Sequence, residues 1–255
     1  MEVMHHIQCS AQDIGHYVFL PGDPGRVEVI ASYLQDAHFV VSNREYTTYT
    51  GTLLGVPVSV VSTGIGCPSA AIAMEELLKL GAHTFIRIGT CGCMSPIPTP
   101  GDSIIATAAI RRDGTSLQYL PIEFPAVANQ QVIQALMLAA REIGIVAHTG
   151  IVESKDSYYG QHEPENSPMA DELLAKWKMF RQGGAIGSEM ESSVLFILGG
   201  LRRARVGSIL HVYRNRIQED EQGMPMLTAP DTRNTIRTAI RAMELLIAQD
   251  QEVRP

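Results

Sequence analysis

Arg87 interrupts an apolar run, Phe85-Ile86-Arg87-Ile88. A guanidinium buried there without an anion is very costly, so it must meet a carboxylate of the chain or an anionic ligand. Position alone leaves both open. Two features favour a ligand. Gly89-Thr90 follow closely, where the strand is expected to turn, and Arg26 follows a second turn, Pro21-Gly22-Asp23-Pro24-Gly25, near the start of an expected helix. Turn amides, a helix N-terminus and planar guanidinium groups together make an oxyanion site. Nucleoside triphosphates and dinucleotides are poorly supported. The first turn lacks the Gly-Lys-Ser/Thr ending of a phosphate-binding loop, no G-x-G-x-x-G joins a first strand to a helix, and Gly64-Ile65-Gly66 alone is weak.

A second candidate is Glu189-Met190-Glu191. Ser188-x-x-Glu191 has the spacing of a capping box, and on spacing alone that is the simpler reading. The functional alternative is a carboxylate that accepts hydrogen bonds from paired sugar hydroxyls. The two glutamates are too close in sequence to straddle a glycosidic bond readily as acid and nucleophile. Among eight histidines no pair has the i, i+4 spacing of a helical metal site, His5-His6 is an isolated pair, and no G-x-S-x-G elbow occurs. Cys9, Cys67, Cys91 and Cys93 contain no C-x-x-C pair and read as reduced thiols of a cytoplasmic protein.

These residues need elements to hold them. Strands are expected at Tyr17 to Leu20, Val56 to Ser62, Thr84 to Ile88, Ser103 to Ile110, Thr149 to Val152 and Val206 to Val212. Helices are expected from Arg26 to Leu34, Ser69 to Leu80, Asn129 to Ile143, Glu172 to Phe180 and Thr232 to Ala248, with another starting at Ser192. Val132, Leu136, Ala139 and Ile143 share one helical face, as do Ile236, Ile240, Met243 and Ile247. Arg233, Arg237 and Arg241 form a solvated stripe. The alternation predicts an α/β fold with helices covering a sheet, in one domain over residues 1–255. Ligands in such sheets gather at loops following the strands' carboxyl ends. Here those loops are glycine-rich, at residues 21–25, 63–66, 89–92 and 187–191.

The 255 residues carry a formal net charge of -7, which argues against a broad nucleic-acid or anionic-membrane footprint. Any anion must be held by a few local cations. The N-terminus shows no signal-peptide pattern. Tyr46 to Met74 lacks charge but is cut by Gly51, Gly55, Pro57, Gly64, Gly66 and Pro68, so no spanning helix is expected there.

Several segments occur in one order: Leu20-Pro21-Gly22-Asp23-Pro24-x-Arg26-Val27, Arg44-Glu45-Tyr46-Thr47-Thr48, Ser62-Thr63-Gly64-Ile65-Gly66-x-Pro68-Ser69, Ile86-Arg87-Ile88-Gly89-Thr90-x-Gly92 and Glu189-Met190-Glu191-Ser192. On these the chain resembles the uridine phosphorylase branch of the nucleoside phosphorylase family over nearly its whole length. The resemblance implies a central twisted mixed sheet, partly barrel-like and flanked by helices. It implies reversible phosphorolysis of a nucleoside to a free base and pentose 1-phosphate, with inorganic phosphate as co-substrate and no cofactor. It also implies homodimers assembling to a homohexamer. Phosphate would be held by Gly22, Arg26, Arg87 and Thr90, with Arg44 from a neighbouring subunit. Ribose would be held by Glu191 and the Met190 region, with the neighbour's His6 at the 5′-hydroxyl. The catalytic set is then Arg87, Thr90 and Glu191, and the cap becomes the weaker reading of Glu191. Glu45, Ile65 and Ser69 match residues that form a potassium site between subunits in some relatives; a polar seam without metal accounts for them equally.

The base loop departs from the family pattern. The usual loop pairs a Gln with an Arg two residues later. In Lys155-Asp156-Ser157-Tyr158-Tyr159-Gly160-Gln161-His162-Glu163, Gln161 matches but Glu163 stands where the Arg would be. Lys155 and His162 are expected to donate to base oxygens, Gln161 to read the amide edge and Tyr158 to pack on the base, because a buried carbonyl needs a donor. The alternative pairs Lys155 with an acid and turns His162 to solvent. Asn215 stands where the purine branch usually carries an Asp, and Asn cannot protonate a purine N7, which favours pyrimidines. Tyr213 and Arg216 flank it as further candidates for the base pocket. Rival readings are a purine nucleoside phosphorylase, a phosphate-independent nucleosidase of the same fold and an inactive nucleoside-binding protein.

Overall fold

The computed structural model describes residues 2–215, 217–218 and 231–253. Arg216, one of the base-pocket candidates, lies outside them. Ten strands form one sheet. They are β1 (Tyr17–Pro21), β2 (Gln35–Asn43), β3 (Tyr46–Leu53), β4 (Val56–Val61), β5 (Thr84–Cys93), β6 (Ser103–Arg112), β7 (Ala126–Val127), β8 (Ala147–Lys155), β9 (Ala185–Glu189) and β10 (Arg205–Arg214). Among the described residues the longer helices are α1 (Val27–Ala31), α2 (Cys67–Lys79), α3 (Gln130–Ile143), α4 (Tyr158–His162), α5 (Ala170–Gln182), α6 (Ser192–Arg202) and α7 (Arg233–Val253).

The strand order β10-β6-β8-β9-β5 closes on itself, because β10 also pairs with β5. The result is a five-stranded barrel with a wing of β1, β4, β3 and β2 attached to β5. β1–β5 and β5–β10 are parallel, whereas β2–β3 and β3–β4 are antiparallel. Alternation along the strands divides the core in two. Phe85, Val18 and Leu210 pack with α2 and α6 on one face. Ile86, Ile88 and Ile209 pack with α1, α3 and α7 on the other. The expected stripes hold: Ile236, Ile240, Met243 and Ile247 are all buried. Asn129 caps α3 by accepting from the amides of Gln131 and Val132, and Gly144 ends it in the left-handed region.

Two expectations are corrected. Gly89-Thr90-Cys91-Gly92 is not a turn that ends a strand: β5 continues to Cys93, because β10 pairs with it as far as Gly92 and β9 takes over at Gly92 and Cys93. The hairpin of β2 and β3 is absent from the sequence reading. Its Gln35-Asp36-Ala37-His38-Phe39 stretch is exposed throughout and so lacks an apolar alternation to read.

The far end of α7 is pinned to the sheet. Asp250 accepts from Tyr17 Oη at 2.6 Å and from Arg205 Nη1 at 2.9 Å, with a further contact to Arg205 Nη2. Burial pushes the Asp250 carboxyl up, but these donors outweigh it and hold it below the usual range. Because the folded value lies below the unfolded one, the stabilisation is complete above the unfolded value and disappears as pH falls through the folded one. Asp250→Asn is therefore expected to lower stability by roughly 1 kcal/mol at pH 7, allowing for partial exposure. The difference from wild type should shrink in acid. Urea titrations from pH 7 to pH 3 check this; a difference independent of pH would contradict it.

Candidate active site

The site forms where β1 and β9 end beside the middle of β5. Arg87 on β5 is buried and makes two ion pairs: Nε to Glu189 Oε2 at 3.0 Å, and Nη2 to Glu191 Oε2. Its third nitrogen, Nη1, is buried without a hydrogen-bond partner. Arg26, at the end of a short 3-10 turn (Pro24–Arg26), likewise buries Nη1 without a partner. Burial pushes the Arg26 guanidinium down, and the Arg87 charge pushes the same way. Gly22 lets the first turn approach: a Cβ there would stand 3.2 Å from the Gly64 carbonyl and 3.9 Å from Arg87 Nη1. Two buried, partnerless guanidinium nitrogens on side chains whose charges influence each other are satisfied best by an oxyanion that accepts from both. Thr90 lies further along β5, paired in register with His211.

The two glutamates divide their work in a way the sequence did not reveal. Glu189 ends β9 and caps α6: its carboxylate accepts from the amides of Glu191 and Ser192, each at 3.0 Å, besides Arg87 and Ser154 Oγ. The capping box over Ser188 and Glu191 is thus overturned. Ser188 lies within β9, and Glu191 makes no side-chain cap bond. The cap comes instead from the carboxylate that also receives Arg87 Nε. Glu191 Oε1 accepts from the Gly66 amide at 2.5 Å. Gly66 has φ +92°, a conformation suited to glycine, which aims its N–H at the carboxylate from the start of α2. Burial raises the Glu191 carboxyl above its usual range, against the lowering pull of Arg87. Met190 adjoins it, its carbonyl accepting from Cys67 Sγ at 3.3 Å.

Beside this cluster opens a cavity of about 490 Å³, lined by β5, β6, β8, α4 and α5. Lys155, Gln161, His162, Arg112, Glu153 and Ser188 face it. Lys155 Nζ donates to Ser188 Oγ at 2.9 Å. Burial lowers its pKa, while Glu153, Glu189 and Glu191 oppose the shift. Gln161 Nε2 donates to Glu153 Oε2 at 2.8 Å, and Arg112 Nη1 donates to Glu153 Oε1 at 3.2 Å. Tyr158 packs on His162 with ring centroids 4.2 Å apart and is 46% exposed, but unlike His162 it does not line the cavity. Asn215 does not face the cavity's polar edge as a free amide. It is buried, its Nδ2 donating to the carbonyls of Ser95 and Pro98 and its Oδ1 accepting from the amides of Ile217 and Gln218.

The residues expected from a neighbouring subunit lie elsewhere. Arg44 is exposed at the tip of the β2–β3 hairpin with φ +54°. His6 is held by Glu76, through Nδ1 at 2.7 Å and its own amide, and its carbonyl accepts from Asn43 Nδ2. Adjacent Asn43 thus links Arg44 and His6 to one edge. Glu45 Oε1 accepts from Ser69 Oγ at 2.6 Å, while Ile65 is 78% exposed. Arg112 lies beyond the expected end of β6 at Ile110, and Glu153 beyond the expected end of β8 at Val152. Carried to Lys155, β8 places Glu153 and Lys155 on one face, two residues apart.

Two buried guanidinium groups with unpartnered nitrogens, a buried carboxylate and an adjoining cavity are thus gathered within a barrel-centred α/β sheet. The model of the phosphorylase superfamily matches residues 16–248, and the chain belongs to that family. It is 51% identical over 246 residues to a uridine phosphorylase of Treponema pallidum, covering 96% of this chain and 95% of the relative. A uridine phosphorylase of Escherichia coli is 40% identical over 204 residues, 79% of this chain and 81% of the relative. A guanosine phosphorylase of Halorubrum lacusprofundi is 33% identical over 247 residues, 94% and 98% respectively.

Proposed function

We infer that this protein catalyses the reversible phosphorolysis of uridine to uracil and ribose 1-phosphate. The observation that carries the reading is the pair of buried, partnerless guanidinium nitrogens on Arg26 and Arg87 beside Glu191. Phosphate seated between them lies beneath the anomeric carbon. Glu191 accepts from the ribose hydroxyls, exchanging part of its hold on Arg87 and Gly66 for the sugar. Gly22 and Thr90 complete the anion contacts. As the C1′–N1 bond breaks, positive charge grows on the sugar and negative charge on the base. A phosphate oxygen forms the new bond to C1′ from the opposite face, inverting that carbon. Electrostatic placement supplies most of the acceleration, and no covalent enzyme intermediate is needed. The retained arginines argue against water as acceptor and against loss of catalysis. The test is release of free base from uridine, thymidine, cytidine and inosine, with and without phosphate. Uracil release that is undiminished without phosphate would overturn the reading.

In the base pocket, Lys155 and His162 serve as donors to the uracil oxygens in place of the family's arginine, Gln161 reads the amide edge and Tyr158 packs on the ring. Lys155→Ala is expected to lower kcat/KM for uridine at least tenfold and His162→Ala severalfold, since hydrogen bonds to charged groups are worth about 1.5–3 kcal/mol each and neutral ones about half that. Near-normal kcat/KM in both variants would contradict this. Arg44 and His6 complete a neighbouring subunit's site, in dimers that assemble to a hexamer; their position on one exposed edge supports this. Glu45 and Ser69, with Ile65 nearby, present oxygens suited to a monovalent cation between subunits, which would fix that edge. Among the described residues no helix is long and apolar enough to cross a membrane. Four buried free thiols support a reducing, cytoplasmic setting.

A further inference from the structure

We propose that Glu153 sets base selectivity by locking the side-chain amide of Gln161 in one orientation, so that the pocket accepts a uracil-type imide and rejects a 4-aminopyrimidine such as cytosine. The inference deepens the reading of the site as a uridine phosphorylase and rests on it.

A primary amide presents a donor and an acceptor that exchange places when it flips. Glu153 is 1% exposed, and a carboxylate offers only acceptors. Arg112 Nη1 donates to Oε1 at 3.2 Å. Oε2 therefore demands the NH2 end of Gln161, which it receives at 2.8 Å. The other end is fixed by Ser188. Its hydroxyl stands 2.9 Å from Gln161 Oε1 and 3.1 Å from Glu153 Oε2, and it can donate to either. Lys155 Nζ occupies a lone pair of the same hydroxyl at 2.9 Å, so its proton is turned towards those two acceptors. Flipping Gln161 would set Oε1 against the Glu153 carboxylate, acceptor against acceptor, and would set the NH2 against the proton of Ser188. The first contact is repulsive, and the second is relieved only if Ser188 turns its proton to Glu153 Oε2.

The locked amide keeps one N–H and one lone pair for the cavity, in fixed places. Uracil answers with its N3–H to the lone pair and a flanking carbonyl to the N–H. Cytosine carries a lone pair at N3 and an NH2 at C4, so it meets like against like and could pair well only with the flipped amide. A site whose buried polar groups are left unpaired discriminates strongly. Glu153 touches neither base nor sugar in this account; it is a positioning residue that acts through Gln161.

The test compares wild type with Glu153→Gln. Residue 153 then carries an amide that can itself rotate to meet either end of Gln161, and the lock is released. Two quantities are read: kcat/KM for uridine and cytidine with phosphate, and binding of free uracil and cytosine by calorimetry. The expected result is a uridine-to-cytidine ratio at least tenfold smaller than wild type, mainly through KM, with the uracil-to-cytosine affinity ratio shrinking in parallel. Glu153→Asp, which keeps the acceptor, should restore most of the selectivity. Both ratios unchanged within twofold in Glu153→Gln would overturn the proposal, because a purely structural role weakens all four ligands together. If Glu153→Gln does not fold, Gln161→Ala decides: it should lose the discrimination at least tenfold, and retained discrimination would overturn the lock. Absence of uridine turnover in wild type would instead defeat the functional reading, and the binding of free uracil against cytosine would still report on the amide.

Discussion

Arg87→Met is expected to be the most damaging single substitution in this chain, lowering kcat/KM by roughly 10²- to 10⁴-fold while also destabilising the fold. The methionine fills much of the same volume but leaves Glu189 and Glu191 without their shared cation. Both carboxylates are buried, and Arg87 bridges them through Nε and Nη2. Breaking a buried ion pair by removing one partner costs about 3–5 kcal/mol. The cap on α6 is weakened as well, because Glu189 carries it and an unpaired buried carboxylate tends to take up a proton. The loss of activity has a separate origin, the removal of Nη1 from the anion. At two charge-assisted bonds of about 1.5–3 kcal/mol each, this accounts for the expected factor. Urea unfolding and phosphate-dependent uracil release measure the two effects. A folded variant with a near-normal KM for phosphate would contradict the assignment of Nη1 to the oxyanion.

Glu191→Gln is expected to separate the two effects. The size is unchanged and Glu189 still pairs with Arg87 Nε, so the loss of stability should be much smaller than in Arg87→Met. Activity should nevertheless fall by roughly 10²- to 10⁴-fold, the worth of two charge-assisted bonds to the ribose hydroxyls. The amide can accept on one side only. Its NH2 must face either the Gly66 amide or Arg87 Nη2, both donors, so the side chain is turned wrongly even before the sugar arrives. Because these bonds should strengthen as charge builds on the sugar, the deficit is expected in kcat more than in KM for phosphate. Equal kcat in variant and wild type would remove Glu191 from the reaction and return it to a structural role.

The chemistry was easier to read from the sequence than the geometry that supports it. Arg87 was legible because a guanidinium in an apolar strand demands an anion, whatever the fold. Arg26 and Gly22 were legible from a proline- and glycine-rich turn after a strand. The long amphipathic helices followed from periodicity, and their faces are those observed in α3 and α7. The cap on α6 is misread from Ser188-x-x-Glu191 because a capping box is a local pattern, whereas the actual cap by Glu189 depends on where β9 ends and on Arg87 from a distant strand. Arg112, Glu153 and Ser188 were missed for a related reason. Each sits at the end of a strand whose last residues are polar, so hydrophobic alternation stops before the strand does. Arg111 and Arg112 illustrate the limit: adjacent and alike in sequence, one is buried in hydrogen bonds to Ser116 and to carbonyls of the loop that follows, and the other reaches Glu153 in the cavity.

The closure of the barrel has a consequence for how this scaffold can change. β5 is hydrogen-bonded on both sides, to β10 on one and to β1 and then β9 on the other, so the backbone beneath Arg87 has no edge from which to fray. Amide exchange along it should require opening of the whole sheet. The base cavity is roofed quite differently, by the five-residue α4 and by α5, none of whose residues is buried. Substitutions there perturb little else. A lineage built on this frame can thus drift from one nucleobase to another by altering its roof while the anion-holding floor stays frozen.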